Sequence, residues 1–156
     1  MLHRHPLLSL VTTAYLAFVG WVTLTPGSEA PTQSELVLRA LARLQRLDHM
    51  AWLTFDRAEY LANIALFVPV GLFLLLLFGS RFWWLAVAAA LSMTSFIETV
   101  QRVIPGRVSD ERDIAANTLG AVMGVAAGIV LTLPATLRRW AEEEDRRAQP
   151  VPSGGR

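Results

Sequence analysis

The chain is 156 residues long, which suits one compact unit, and it is 53% hydrophobic and 17% charged, whereas soluble domains usually carry about 25% charged residues. It contains no cysteine and no lysine, which excludes a disulfide framework, a thiolate nucleophile, a zinc–thiolate site and lysine Schiff-base chemistry. The net charge of +1, without a basic stripe interleaved with aromatic residues, does not indicate a nucleic-acid partner.

Four apolar segments are long enough to span a bilayer, which requires roughly 20 residues to cross about 30 Å of hydrocarbon. They cover about residues 7–24, 60–78, 82–100 and 114–133. The last segment ends before Pro134, and tryptophans such as Trp21 and Trp140 stand where an interfacial aromatic belt is expected. The sequence therefore predicts an all-α fold, a polytopic bundle of four transmembrane helices, with residues 1–140 as one membrane domain.

The first apolar segment has a second interpretation as a signal peptide, because Ser28-Glu29-Ala30 loosely resembles a small-x-small cleavage site. Pro31 would hinder cleavage there, and the apolar run is long for a signal peptide, so a retained helix is favoured. Four retained spans place both termini on one side. Arginines are also frequent in the loops on the opposite side. Arg81 in its short turn and the basic flank after the fourth span nevertheless favour the cytoplasm as the side of both termini.

The segment from about residue 32 to 48 is amphipathic and too polar to span a bilayer. Thr32 and Glu35 have the spacing of a capping box, and apolar residues after them share one helical face opposite arginines. We expect a helix beside the membrane, either flat on its surface or packed on its own bundle. The tail at residues 141–156 combines an acidic run with prolines and glycines, and is predicted to be disordered in the cytoplasm.

Polar and charged residues concentrate around the ends of the last two spans, where their cost in a membrane requires a reason. Glu98 and Gln101 are three residues apart and share a face of the third span. Asp113 and Asn117 share a face where the fourth span begins, and the turn between the two spans folds these faces toward each other. The predicted site at the outer end of the bundle draws on three spans: Asn63, Glu98, Gln101, Arg107, Asp110, Asp113 and Asn117.

Small residues recur every four positions along the fourth span, at Ala116, Gly120, Gly124 and Gly128. Such a stripe lets a neighbouring helix approach closely, and we expect it to hold the side chains of the site against the third span. The same stripe would serve equally as the seam of a homodimer.

Several site residues also have purely structural explanations. Asp110 and Asp113 stand at a helix N-terminus, where acids stabilise by capping and by the helix dipole. Asn63 and Asn117 could make interhelical hydrogen bonds, which are common between packed membrane helices. Glu98 fits such explanations least, because it is the only charge of the third span. The histidines are isolated and lack metal-ligand spacing, so the sequence predicts no metal site and no cofactor.

Three ordered blocks of this region resemble the VanZ-like family of bacterial membrane proteins. They are the stretch from Asn63 to Gly71, the run Glu98-Thr-Val-Gln101, and the residues from Arg107 to Gly120. The resemblance covers about residues 63–124 and implies a bacterial inner-membrane protein. The named member of the family is linked to low-level resistance to the glycopeptide teicoplanin, and no settled biochemical activity comes with the resemblance.

Two functions compete on these residues. In the first, the protein is not an enzyme and binds a membrane lipid, a lipid-linked wall precursor or a partner protein, with arginines of the outer interface holding phosphate or carboxylate. In the second, it is an enzyme that acts on a lipid head group, with the partly desolvated Glu98 as general acid or base. Asp113 is the second candidate catalytic residue, and Asp110 and Asp113 could then hold Mg²⁺. Four spans without an inverted repeat make a transporter the weaker alternative.

Overall fold

The four apolar segments fold as helices. Every element is helical in the part of the chain that the computed structural model describes, namely residues 6–25, 33–46, 50, 52–104 and 111–148. The helices are α1 (Pro6–Leu24), α2 (Gln33–Leu44), α3 (Phe55–Phe78), α4 (Trp83–Gln101) and α5 (Glu111–Ala148). All but α2 are long and apolar enough to cross a membrane. The predicted all-α membrane bundle of four spans is confirmed.

The second span begins earlier than hydropathy predicted, at Phe55 rather than near residue 60. Thr54 is its N-cap, with a side chain that accepts a hydrogen bond from the backbone N–H of Arg57 at 3.5 Å. Asp56 in the first turn adds a favourable charge to the positive end of the helix dipole. Hydropathy reports only the part of a helix that lies in hydrocarbon, so this polar first turn was not predicted.

The membrane-spanning part of α5, Glu111–Pro134, ends where the sequence predicted the fourth span to end, but the helix itself does not end there, and the predicted disorder is wrong for residues 141–148. Helix α5 continues through Pro134 and ends at Ala148, which lies inside the segment expected to be disordered from residue 141. A proline removes one backbone donor from a helix but does not have to end it. Residues 141–148 are mostly alanine, glutamate and arginine, which have high helix propensity. The prediction of disorder considered the charge and composition of this segment and not its helix propensity.

Helices α3 and α5 run parallel with their backbones in direct contact. Asn63 and Gly71 on α3 meet Asp113 and Ala121 on α5, at the same sequence offset of 50 residues. A Cβ atom on Gly71 would overlap the carbonyl oxygen of Ala121. The close approach therefore needs glycine on α3 as well as on α5.

The small-residue stripe of the fourth span supplies the other side of this contact. A Cβ atom on Gly120 would overlap the carbonyl oxygen of Ile64, and one on Gly124 would overlap that of Val68. The stripe was expected to hold the site against the third span, but its neighbour is the second span, α3. The stripe therefore packs inside the bundle, and a homodimer stays a prediction.

The bundle buries few side chains and exposes many apolar ones, as a bilayer requires. Phe67, Val19, Val70 and Leu75 form the centre of the core. Exposed apolar residues cover the outside of the spans, among them Leu7, Leu10, Val130 and Leu131. Exposed Trp83 and Trp84 mark one end of the bundle, and exposed Trp21 and Trp52 mark the other. This distribution fits a bundle with hydrocarbon around its middle and interfacial aromatic residues at both ends.

The amphipathic segment forms helix α2, which packs against α3. Its buried residues are Val37 and Leu41, while Leu38 and Leu44 are exposed together with the arginines of this helix. Helix α2 therefore packs on the bundle, which is one of the two expected arrangements, with part of its apolar face. Its exposed leucines remain available for a membrane surface. Thr32, the first residue of the expected capping box, lies outside the described residues.

Candidate ligand-binding site at the polar end of the bundle

Buried polar side chains gather where α3 and α5 begin and where α1 and α4 end, which we call the polar end. The topology requires this arrangement: α3 and α4 are joined by a short turn and run antiparallel, and α5 runs parallel to α3. Buried polar residues near the polar end come from all four spans: Thr23, Asn63, Thr94, Glu98, Gln101 and Asn117. Each such group must find a partner inside the protein, because hydrocarbon offers none.

Asn63 and Asp113 join α3 to α5. The Asn63 side-chain amide donates a hydrogen bond of 2.7 Å from Nδ2 to Oδ1 of the Asp113 carboxylate. Asn63 is buried in the third turn of α3, and Asp113 lies half-buried in the first turn of α5. A charge-assisted hydrogen bond of this kind is stronger than one between neutral groups. The sequence correctly placed these two residues at the same end of the bundle.

Asn117 and Thr94 join α5 to α4. The Asn117 amide donates from Nδ2 to the Thr94 hydroxyl at 2.9 Å, and both side chains are buried. The carbonyl oxygen of the same amide, Oδ1, is buried without a hydrogen-bond partner. Buried polar atoms are rarely left in this state, so an unpaired acceptor inside a packed bundle is a place where a donor would be stabilised.

Glu98 lies in the layer directly beyond the Thr94–Asn117 contact. Glu98 follows Thr94 by four residues, about one helical turn toward the polar end. Asp113 precedes Asn117 by four residues, and because α5 is antiparallel to α4 this is also one turn toward the polar end. Glu98 and Asp113 therefore lie at the same level. Glu98 is only 3% exposed and therefore does not face lipid. The two predicted catalytic acids therefore lie at the same level of the bundle, Glu98 on α4 and Asp113 on α5, where Asp113 is turned toward Asn63 of α3.

Gln101 joins α4 to α1. Its side-chain amide donates from Nε2 to the backbone carbonyl of Thr23 at 2.9 Å. The last four carbonyl groups of a helix have no partner within that helix, and Thr23 is the second-last residue of α1. Gln101 therefore caps the end of α1. This contact gives the residue a structural role, and its predicted part in ligand binding stays a prediction.

Two adjoining cavities open beside these contacts, and we call them together the vestibule. The smaller has a volume of about 60 Å³ and the larger about 290 Å³. Asp56, Tyr60 and Arg112 line both. The smaller cavity also touches Asp113, so the vestibule leads from the membrane interface to the Asn63–Asp113 hydrogen bond.

The larger cavity is lined by two arginines. Arg57 and Arg112 both line it, with Trp52 and Leu61 as its apolar and aromatic walls. The Arg57 guanidinium is oriented by a hydrogen bond of 2.8 Å from Nη1 to the backbone carbonyl of Trp52. Two arginines in one cavity can hold a phosphate or carboxylate through paired hydrogen bonds, and the neighbouring Asp56 limits their mutual repulsion.

Part of the vestibule was not predicted from the sequence. Asp56, Glu59, Tyr60 and Asn63 are spaced three and four residues apart, which places them along one side of α3. The sequence contains this spacing, but hydropathy did not predict that the polar first turns of α3 are helical. Of the predicted site, Arg107 and Asp110 lie outside the described residues.

The fold and its polar end define a small polytopic membrane protein of the helix-bundle class. The VanZ/LLP1 family model matches residues 12–132, which is most of the chain, and the chain therefore belongs to the VanZ-like family. The match extends well beyond residues 63–124, which carried the resemblance in the sequence, and includes parts of all four spans. Among curated proteins and among solved structures, none matches the chain.

Proposed function

We propose that this protein is a non-enzymatic component of the bacterial inner membrane that binds a phosphate-bearing lipid or lipid-linked wall precursor at its outer face. In this proposal the polar end faces outward, both termini face the cytoplasm, and occupancy of the site changes susceptibility to glycopeptides of the teicoplanin type. The observation that carries the proposal is that two arginines, Arg57 and Arg112, line one cavity of about 290 Å³.

The chemistry of the vestibule supports a head group that carries phosphate. Arginine binds phosphate in a planar, two-pronged manner that lysine cannot reproduce. Trp52 is exposed at the same cavity, and tryptophan is favoured at the level of lipid head groups. Apolar Leu61 on the wall suits the first carbon atoms of a chain below the head group. A ligand anchored in the bilayer would reach this site without leaving the membrane.

The proposal is tested by Arg112→Gln, which removes one charge from the vestibule and keeps a side chain that can donate hydrogen bonds. We expect binding of polyprenyl phosphate to the purified protein in nanodiscs to fall about tenfold or more, as expected for loss of one charge-assisted hydrogen bond. Glycopeptide susceptibility of cells that express the variant should shift toward that of cells lacking the protein.

The matched control is Arg81→Gln, because Arg81 is exposed at the opposite end of the bundle, in the turn before α4. This variant should bind and protect as the parent does. If both variants bind equally well, the vestibule is not the phosphate site. Unchanged lipid binding together with a lost phenotype for Arg112→Gln would instead favour a partner protein at this surface.

A second candidate function, acid–base catalysis on a lipid head group, is favoured by the surroundings of Glu98. Glu98 shares a layer with Asp113 and lies one turn from the Asn117 Oδ1 atom that lacks a partner. Glu98→Gln keeps the shape of the side chain but cannot transfer a proton. If Glu98 is catalytic, the phenotype should be abolished by this change while the protein still folds. A cell that expresses Glu98→Gln and keeps full glycopeptide protection would rule out catalysis at Glu98.

A further inference from the structure

A third cavity, none of whose described lining residues belongs to the vestibule, lies along α5 beside the end of α4. Its volume is about 650 Å³. Its mouth carries two exposed charged residues, Arg102 just after α4 and Glu111 at the start of α5. Deeper along α5 its walls are apolar and include Leu119 and Val122, which are 44% and 42% exposed on the outside of a membrane-spanning helix. The groove therefore opens sideways toward the bilayer.

We propose that this groove holds one hydrocarbon chain of a bilayer phospholipid with an ethanolamine head group. The phosphate lies at Arg102, the ammonium group lies at Glu111, and the chain follows α5 toward Val122. This is a second lipid site, which does not depend on the function proposed for the vestibule.

The shape of the groove suits a hydrocarbon chain that lies along α5. From Glu111 to Val122 a helix rises about 16 Å, and the groove is open to the bilayer along this length. A single acyl chain is narrow and flexible enough to fill it.

The charges at the mouth select the head group. Among the described residues that line the groove, one guanidinium and one carboxylate complement a zwitterion, in which phosphate accepts hydrogen bonds and a primary ammonium donates them. Phosphatidylglycerol carries the phosphate but no cation for Glu111. Phosphatidylcholine carries a quaternary ammonium, which has no N–H to donate to the carboxylate. Phosphatidylethanolamine has a complementary group for each of the two residues.

Ala115 lines the groove and is itself exposed, so its substitution by a large residue should block the groove without disturbing the core. The test uses the purified full chain in nanodiscs of phosphatidylcholine doped with phosphatidylethanolamine or phosphatidylglycerol, with retained lipid counted by native mass spectrometry. We expect Ala115→Phe to lower retained phosphatidylethanolamine about tenfold. The matched control is Ala127→Phe, which adds the same ring at an exposed alanine of α5 outside the groove.

The head-group assignment predicts different results for the two charged residues. Arg102→Gln should lower retention of all three phospholipids about tenfold, because each has a phosphate. Glu111→Gln should leave total retention unchanged and abolish the preference for phosphatidylethanolamine over phosphatidylcholine. Thermal unfolding of each variant checks folding, and if Ala115→Phe does not fold, Ala115→Leu and Arg102→Gln still decide the outcome.

The proposal is overturned if Ala115→Phe retains as much lipid as Ala127→Phe, or if the parent protein shows no preference for phosphatidylethanolamine. Preferential retention of polyprenyl phosphate, or protection of the groove by a second copy of the chain, would also overturn it. Arg112→Gln should leave this lipid in place. The failure of one site is thereby distinguishable from the failure of the other.

Discussion

Several buried polar side chains of this bundle connect two different spans. Asn63 connects to Asp113, Thr94 to Asn117, and Gln101 to the backbone of α1. An amide or hydroxyl group inside hydrocarbon is costly unless it makes a hydrogen bond. When its partner lies on another helix, the two helices must be neighbours for the bond to form. At the scale of single residues, these contacts give the polar end a defined geometry whether or not a ligand is bound.

The Asn63–Asp113 contact predicts a measurable coupling. In a double-mutant cycle with Asn63→Ala and Asp113→Ala, we expect the two losses in the free energy of unfolding to be non-additive by about 1 kcal/mol, since each change alone removes the same hydrogen bond. Unfolding in mixed detergent, followed by circular dichroism, measures the four proteins. The control cycle pairs Asn63→Ala with Arg81→Ala at the opposite end and should be additive. Additivity in both cycles would contradict a shared hydrogen bond.

At the scale of elements, the contact between α3 and α5 organises the bundle. Gly71 on one helix and Gly120 and Gly124 on the other allow the two backbones to touch, and this brings Asn63 within hydrogen-bond distance of Asp113. Lipid competes equally well for apolar side chains, so membrane helices associate through such close packing. The position of the site therefore depends on residues that have no polar atoms in their side chains.

Gly124→Ala tests this contact with a single added methyl group. The new Cβ atom would overlap the backbone of Val68, so α3 and α5 must separate, and we expect a loss of at least about 2 kcal/mol in the free energy of unfolding. The control is Gly20→Ala on α1, where a Cβ atom meets nothing within 4 Å. There the same change should be neutral or slightly stabilising, because glycine is unfavourable inside a helix. Equal stability of the two variants would refute the close contact.

The sequence predicts the spans well because a bilayer imposes a length and a composition on each one. It does not predict which helices are neighbours. The repeat of Gly120 and Gly124 predicts a close contact, but Gly71, the glycine opposite them, is the single glycine of α3 and no repeat marks it. The spacing of Asp113 and Asn117 correctly puts them on one face. Asp113 nevertheless turns toward α3 and Asn117 toward α4, because α5 lies between these two helices. The position of α5 is a property of the assembled bundle.

At the scale of the whole molecule, the two ends of the bundle differ in chemistry. The polar end combines the vestibule, the mouth of the groove and the buried amides, while the opposite end carries the tight turn with Arg81 and the exposed Trp83 and Trp84. A site for a wall precursor is useful only if the polar end faces the outside. The orientation of the chain is therefore the property on which the proposed function depends most.

Orientation can be measured directly because the chain has no cysteine, so any introduced thiol is the only one. Thr54 and Arg81 are both exposed and lie at opposite ends of α3. With both termini in the cytoplasm, Thr54→Cys should react with a membrane-impermeant maleimide on intact spheroplasts, and Arg81→Cys should react only after the membrane is disrupted. Full labelling of both variants after disruption is the control for accessibility. The reverse pattern would place the vestibule in the cytoplasm, where it could not meet an extracellular glycopeptide or its target, and the proposed function would then fail even if the lipid-binding residues were correctly identified.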